Sequence, residues 1–433
     1  MRKKRGERDV SLFVLFLGLA FLGVPIGFAI GIGVLGSVFT SNIISLSYFV
    51  RAMANSVDSF TLTAVPFFVL AGQIMSEAGI SEGLFKAANV WVGRLKGGIM
   101  MVTVLACMAF GAISGSAYAT IAAIGLIALP ELRKQGLSQG AAAALIATAG
   151  CCGQMIPPSM GLVVFGSLNN VSISKLFTAE ILPGLFIGCC FLVYCHIYGK
   201  KHNICSGNDP IPLRRKLRTM WEAKFSLIMP VIILGGIYSG IFTPTEAAVV
   251  SVVYGLIYGL LKRNSGLEAR MLPQMFYKTV ITTCTILFIL GVSSGFGKIL
   301  TLEEIPTKLA ALILGSVSSK IVALIILNAL VLFLGTFLDG IAINVILSSI
   351  LLGIATQYGI DPIHFGVMFI FNSTLGIITP PVGGNLFVAA QISKAPFEEI
   401  VKEIWPWILT MGIGLIFVIF IPQMSTWLPG LMK

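Results

Sequence analysis

Apolar residues run along this chain in long blocks, and polar residues gather between the blocks instead of alternating within them. A helix needs about 20 mostly apolar residues to cross a bilayer, so the pattern predicts membrane-spanning helices, not a soluble amphipathic bundle. The blocks are residues 11–39, 63–75, 98–129, 140–168, 181–198, 225–261, 279–296, 321–338, 341–355, 365–390 and 404–421. Two of them, 11–39 and 225–261, exceed one crossing and are interrupted by Pro25 and Pro244, so each reads as a broken pair of helices. Residues 41–60 and 81–95 mix apolar with polar positions, which suits helices lying along the membrane surface.

Two blocks depart from a plain span. Residues 148–161 read TAGCCGQMIPPSMG and residues 372–384 read NSTLGIITPPVGG. Each sets a Pro-Pro pair, several glycines and hydroxyl or amide side chains in mid-segment. Proline lacks an N–H and cannot bond the carbonyl four residues back. In hydrocarbon such a carbonyl has to be satisfied by protein, water or an ion.

The breaks recur at a fixed register. Pro157-Pro158 falls on Pro380-Pro381 at a shift of 223 residues, and the same shift sets Gly153 on Gly376, Gly161 on Gly384, and EILP at 180–183 on EIWP at 403–406. Gly111 meets Gly335 at a shift of 224, and Pro25 meets Pro244 at 219. A slow drift of offset over most of the chain indicates two related halves. The chain then divides into a basic tail (1–9), a first repeat (10–199), a basic linker (200–224), a second repeat (225–422) and a C-terminal tail (423–433). Matched broken helices in two halves are characteristic of secondary transporters, where they surround the transported species.

Charge placement sets the expected orientation. Arg94, Lys96, Arg133 and Lys134 flank the block 98–129, whose centre is the polar tip Ser114-Gly115-Ser116. With both flanks cytoplasmic, the block is a re-entrant hairpin. Residues 140–168 then cross outward and 181–198 return to the basic linker. Counting backward puts the N-terminus outside; counting forward starts the second half inside, so the repeats are inverted and the hairpin around Asp339 opens outward. Arg2, Lys3, Lys4, Arg5 and Arg8 run against this trend, and three concordant inner loops outweigh them. The predicted fold class is therefore an all-α integral membrane protein of two inverted repeats, each with a re-entrant helical hairpin and a broken transmembrane helix.

Composition narrows the function classes. Hydrophobic residues make up 56% of the 433, charged residues 11%, and mean hydropathy is +0.95. Soluble domains carry about 25% charged residues, so a soluble, disordered or collagen-like chain is excluded. The net charge of +11 is spread over short basic loops, without the aromatic-interleaved stripe of a nucleic-acid surface, so no nucleic-acid partner is expected. Eight cysteines without a CxxC, and only three histidines, speak against zinc; the cysteines read as small buried hydrophobes. The apolar start is too long for a cleavable signal peptide. GIGVLG at 31–36 matches a dinucleotide fingerprint and GVSSG at 291–295 a nucleophile elbow, but neither has strand context, and small-residue helix packing explains the glycines. Walker A, HExxH and EF-hand patterns are absent.

FGAISGSAYAT at 110–120, IPPS at 156–159, TPTEA at 243–247 and TPPVG at 379–383, taken together, resemble the large membrane (M) subunit of tripartite ATP-independent periplasmic (TRAP) transporters. The resemblance extends over about residues 12–422. It implies a sodium-coupled secondary importer of small organic acids, such as C4-dicarboxylates or sialic acid, in the bacterial inner membrane, working by an elevator mechanism. It also implies a soluble periplasmic substrate-binding protein (P subunit), a small four-helix membrane subunit (Q subunit) and contact with membrane lipid. The basic N-terminus and Cys151-Cys152 depart from the family pattern.

Sodium is a hard cation that takes oxygen ligands. In the first half the candidates are Ser114, Gly115 and Ser116 on the hairpin tip, with Gly150, Gln154 and the carbonyl of Ile156 at the break. In the second they are Asp339 and Asn344 on or near the tip, facing Asn372, Ser373, Thr374 and Thr379. Asp339 is the only charged residue between Lys320 and Asp361, and a carboxylate at membrane depth is costly unless it serves a cation or proton. Neither break nor tip holds Arg or Lys. The helix N-termini after Pro157-Pro158 and Pro380-Pro381, together with Ser159, Gln154 and bound sodium, are the candidate anion contacts. Lys298 is a candidate direct partner, although a lysine at a membrane edge more often snorkels to water. The rival readings are an intramembrane enzyme using Ser293 or Asp339 and an ion channel; turnover without uptake would mark the first, conductance without substrate dependence the second.

Overall fold

In the computed structural model, residues 24–41, 44–204, 212–261, 267–303 and 319–431 are described, with residues 15, 16, 18, 19, 22 and 308 singly. The basic tail 1–9, with its opposing charges, and part of the linker lie outside the described residues. Among those described every regular element is helical. Among the described residues six helices are long and apolar enough to cross a membrane, or up to eight if two bent pairs, Gln139–Met155 with Met160–Asn169 and Leu213–Glu222 with Lys224–Tyr238, count as one span each.

The block 98–129 is a helical hairpin of Gly98–Ser114 and Ala117–Lys134. The two arms pack on each other across a tip that turns at Gly115 with φ +63°. Gly115 suits that left-handed position because it has no Cβ to clash. A second hairpin, Lys320–Gly335 and Gly340–Gln357, turns through Thr336, Phe337, Leu338 and Asp339. The predicted breaks are real. The first broken helix runs Gln139–Gly150, Cys152–Met155, then an interruption, then Met160–Asn169, with a bend of 41°. The second runs Pro362–Gly376 and resumes as Gly384–Ser393. Both Pro-Pro bonds are cis.

Capping explains where these helices begin, and it follows the repeat. Ser116 accepts from the Ala119 N–H at the head of the first hairpin's return arm; 223 residues on, Asp339 accepts from the Ile341 N–H at the same place in the second. Ser138 caps the first broken helix and, again 223 residues on, Asp361 caps the second, with Pro362 at its first position. Packing follows the repeat too. A Cβ built on Gly111 would lie 2.7 Å from the Gly153 Cα, and one on Gly335 would lie 3.0 Å from the Gly376 Cα. In each half, therefore, a hairpin arm lies backbone to backbone on its broken helix.

Contacts also fix how the ends are arranged. Gln139 Nε2 donates to the Ser393 carbonyl, so the start of the first broken helix lies against the end of the second. The Gly97 N–H at the foot of the first hairpin donates to the Ile204 carbonyl just past the helix Ile173–Lys201, at 2.9 Å. The basic residues near 94–96 and 200–201 therefore share one end of the molecule, as the charge argument required.

Around this core, Ile26–Ser41, Leu46–Val57 and Ala64–Glu77 pack on the long helix Leu272–Leu302, and Pro244–Leu261 packs on Ala64–Glu77. Residues 225–261 form two helices, Lys224–Tyr238 and Pro244–Leu261, separated at the expected proline. The glycines of the fingerprint-like stretch serve packing: Gly31 faces Val292, as Gly27 faces Phe288. Cys107, Cys151, Cys152 and Cys195 are buried as expected, whereas Cys189 and Cys284 are exposed on apolar helices. Residues 423–430 of the C-terminal tail form a further short helix, Gln423–Gly430.

The glycine contacts carry a prediction. Alanine is normally favoured over glycine in a helix by about 1 kcal/mol. At Gly111 its methyl would meet backbone, and the overpacking should outweigh that gain, destabilising the protein by about 1–3 kcal/mol. Gly353 has open space where a Cβ would stand. Thermal unfolding in detergent should show Gly111→Ala and Gly335→Ala lowering the midpoint and Gly353→Ala leaving it level or raised.

Candidate functional site

Each hairpin tip seats on its break by a backbone hydrogen bond. The Gly115 carbonyl accepts from the Met160 N–H at 3.1 Å, and the Thr336 carbonyl accepts from the Gly383 N–H at 3.3 Å. Two of the carbonyls that proline strands are recovered as well. Pro158 leaves the Gln154 carbonyl without its helical donor, and the Ser159 hydroxyl donates to it at 2.7 Å. Pro381 leaves the Ile377 carbonyl, which accepts from the Asn385 N–H at 3.0 Å.

The remaining polar groups are arranged as acceptors. On the first tip, Ser114 Oγ lies 3.1 Å from Thr120 Oγ1, and Thr120 donates to the Ser116 carbonyl at 2.8 Å. Gly150 is buried against Ile121, and Ile156 is extended at the end of the short helix Cys152–Met155. On the second broken helix the hydroxyls of Ser373 and Thr374 donate to the Ile370 carbonyl, and that of Thr379 donates to the Leu375 carbonyl. With the protons committed to the helix, the hydroxyl lone pairs stay available.

Three buried amides do the same more sharply. Asn344 donates to the Gly161 carbonyl at 2.7 Å, Asn372 to the Asn328 carbonyl at 2.7 Å, and Asn385 to the Ala147 carbonyl at 3.3 Å. A carbonyl accepts only from a donor, so each contact fixes the NH2 end of its amide. The Oδ1 atoms of Asn344, Asn372 and Asn385 are buried and receive no hydrogen bond. Such acceptors are costly unless something positive or a donor completes them. Among the described residues no group of three or more His, Cys, Asp or Glu could hold a metal. Neutral oxygens of this kind suit a hard monovalent cation better than a transition metal.

The halves also meet each other. Tyr118 on the first hairpin donates to Asp339 Oδ1 on the second tip at 2.6 Å, and Asp339 Oδ2 accepts from the Ile341 N–H at 3.0 Å. Gln154 from the first break faces the second tip, where a Cβ on Gly340 would lie 3.3 Å from its Nε2. Cys151 Sγ lies 3.4 Å from Asn385 Nδ2. The first break, Ile156 to Ser159 with Pro157 and Pro158, is buried, whereas Pro380 is half-buried and Pro381 exposed. The structure thus brings the predicted tip and break residues together, apart from Lys298. That lysine is exposed on Leu272–Leu302, whose neighbours are the N-terminal helices and the return arm of the second hairpin.

Tyr118, Thr120, Asn328 and Asn385 escaped the sequence reading. Asn328 carried a usable signal, a lone amide inside an apolar helix. Asn385 follows the Gly383-Gly384 pair one residue beyond the stretch read as the break.

Helical spans enclosing paired hairpins and breaks give the chain the architecture of a multi-pass membrane protein of the transporter class. The profile of the family described as "Tripartite ATP-independent periplasmic transporter, DctM component" matches residues 13–424. The chain belongs to that family, as a TRAP large permease. It is 37% identical over 420 residues to the sialic acid TRAP transporter large permease protein SiaM of Vibrio cholerae, covering 96% of this chain and 97% of that one. It is 35% identical over 442 residues to the C4-dicarboxylate TRAP transporter large permease protein DctM of the same species, covering 97% of each. Against the isethionate TRAP transporter permease protein DctMQ of Oleidesulfovibrio alaskensis it is 38% identical over 422 residues, 96% of this chain but 65% of that protein's length. These relatives are named as permeases, not enzymes. The crystal structure of the Alcanivorax borkumensis YdaH transporter shares the fold, with a TM-score of 0.63 over 98% of this chain and 99% of that one, at 13% identity.

The Tyr118–Asp339 bond is testable by a double-mutant cycle. A hydrogen bond to a charged group contributes about 1.5–3 kcal/mol. Tyr118→Phe and Asp339→Asn should each destabilise the purified protein, with the double variant no worse than the more damaging single one. Strict additivity would place the two groups out of contact.

Proposed function

We propose that this chain is the substrate-translocating subunit of a sodium-coupled importer of small organic anions, operating as an elevator. The observation that carries the proposal is the set of three buried amide oxygens without donors, set among hairpins and breaks that follow one register. Oxygens of this kind call for a cation. Asn344 and Asn372 stand with Asp339, Ser373, Thr374 and Thr379 on the second side; Ser114, Gly115, Ser116, Gly150 and the Ile156 carbonyl stand on the first. The positive ends of Met160–Asn169 and Gly384–Ser393 favour an anion near the breaks. Gln154, Ser159 and the two Pro-Pro pairs line that approach.

The relatives are named for sialic acid, C4-dicarboxylates and isethionate. All are small organic anions, and we assign this chain the same chemical class. We read the opposed broken helices as an inverted repeat. The hairpins, broken helices and the helices Ile173–Lys201 and Phe397–Phe420 would travel together against a scaffold built on Leu272–Leu302 and its neighbours. A periplasmic binding protein would deliver the anion, and a small four-helix membrane subunit would support the scaffold. Coupling requires that the ion shift the equilibrium between conformations, which it does here by completing acceptors that are otherwise unmatched.

The expected result is that sodium, but not potassium, raises the thermal midpoint of the purified protein and drives anion uptake in proteoliposomes containing the two partner subunits. Asn372→Ala and Asp339→Asn should each abolish the sodium-specific shift. Equal effects of the two ions, or sodium dependence unchanged by Asp339→Asn, would sink the proposal.

A further inference from the structure

The linker between the halves contains a ten-residue helix, Leu213–Glu222, that buries none of its side chains. Leu213, Leu217 and Trp221 recur every four residues and so share one face, where they are 63%, 57% and 70% exposed. Arg214 and Arg218, the latter also paired with Glu222 at 2.9 Å, flank that stripe on one side and Lys216 flanks it on the other. Lys216 is held by its own contact, 5.0 Å from the centre of the Trp91 ring. The opposite face, with Arg215, Thr219 and Glu222, looks into a polar cleft shared with Lys86 and Asn89. The helix is therefore held on its polar side and bare on its apolar side, as a helix lying in a membrane interface is.

A groove of about 440 Å³ begins where this helix ends, lined by Phe225, Tyr254, Ile257, Tyr258 and Leu261. It has built walls. Tyr254 and Tyr258 stack at 6.3 Å, Phe225 lies 5.8 Å from Tyr258, and Tyr254 donates to the Phe225 carbonyl at 2.6 Å. Lys224 stands at its mouth, its ammonium 3.7 Å from the Trp221 ring centre and 5.0 Å from that of Phe225. In sequence Lys262 and Arg263 follow Leu261. An apolar slot large enough for a small-molecule tail thus opens beneath a cluster of positive charge on the basic, cytoplasmic end of the protein.

We infer that this is a binding site for an anionic phospholipid of the inner leaflet. An acyl chain lies in the Phe225–Leu261 groove, and the phosphate is held by Lys224, Arg214 and Arg218 while Trp221 sits at headgroup depth. Charge complementarity selects this occupant: basic juxtamembrane residues attract the anionic leaflet, each adding to the preference. A neutral lipid or a helix of another subunit would fill the groove without needing the cations. The inference does not depend on sodium coupling or on the substrate.

The test uses the full-length protein in nanodiscs doped with phosphatidylglycerol or phosphatidylcholine carrying the same dibrominated acyl chains. Trp221 emission is isolated by difference against Trp221→Phe. Brominated phosphatidylglycerol should quench Trp221 at a mole fraction at least about tenfold lower than brominated phosphatidylcholine. The triple variant Arg214→Gln/Arg218→Gln/Lys224→Gln, at exposed or half-exposed positions, should abolish that preference while the helical signal and elution volume stay unchanged. Ile257→Glu should reduce quenching by both lipids. Equal quenching in the wild type, or a preference that survives the triple variant, overturns the inference. So does shielding of Trp221 from both lipids once the small membrane subunit is co-purified, which would make the groove a protein interface.

Discussion

A backbone polar group at membrane depth has no water to turn to, and the core of this protein is organised around that constraint. Two Pro-Pro pairs interrupt spanning helices, and the structure accounts for what they release: the Ser159 hydroxyl takes the Gln154 carbonyl, and the Asn385 N–H takes that of Ile377. The hairpin tips complete the arrangement by accepting from the N–H groups of Met160 and Gly383, two residues beyond each Pro-Pro pair. A tip and a break are therefore one unit. Close approach of Gly111 to Gly153, and of Gly335 to Gly376, brings the backbones near enough for it.

What is left unpaired after this accounting is as informative as what is paired. Backbone groups at the breaks find partners, while three amide oxygens do not, although the same three side chains are pinned through their NH2 groups. The fold recovers the Gln154 and Ile377 carbonyls and yet leaves the buried Oδ1 atoms of Asn344, Asn372 and Asn385 without a donor, which is the mismatch the proposed sodium coupling would resolve. Among the described residues no group of three or more His, Cys, Asp or Glu could hold a metal, so a reading of the site has to start from this mismatch.

Much of this was legible in the chain. The 223-residue register found from the prolines also predicts the caps, since Ser116 and Ser138 fall on Asp339 and Asp361. The glycine contacts follow with a one-residue drift, Gly153 falling on Gly376 at 223 and Gly111 on Gly335 at 224. The first hairpin tip was visible because Ser114-Gly115-Ser116 interrupts an uncharged apolar block flanked by Arg and Lys, and the second because Asp339 is the only charge between Lys320 and Asp361. The boundaries were less visible: Ile173–Lys201 begins eight residues before the apolar stretch that announced it, because Glu180 is buried in the protein instead of facing lipid. Contacts between halves, such as Tyr118 with Asp339, join residues 221 apart and follow no local pattern. Lys298 stood out on charge alone, and charge does not say which way a helix faces.

The exchange of Ser116 for Asp339 at corresponding caps has a consequence for a protein built by doubling. Two equal halves in opposed senses would give an outward and an inward form of equal energy, with nothing to favour one direction of occupancy. A hydroxyl cap in one half and a carboxyl cap in the other is one of the differences that remove that degeneracy. The imbalance sits at the seam where both hairpins touch, through the Tyr118–Asp339 hydrogen bond, so under the proposed coupling a cation beside Asp339 would weigh on one arrangement of the pair more than on its mirror.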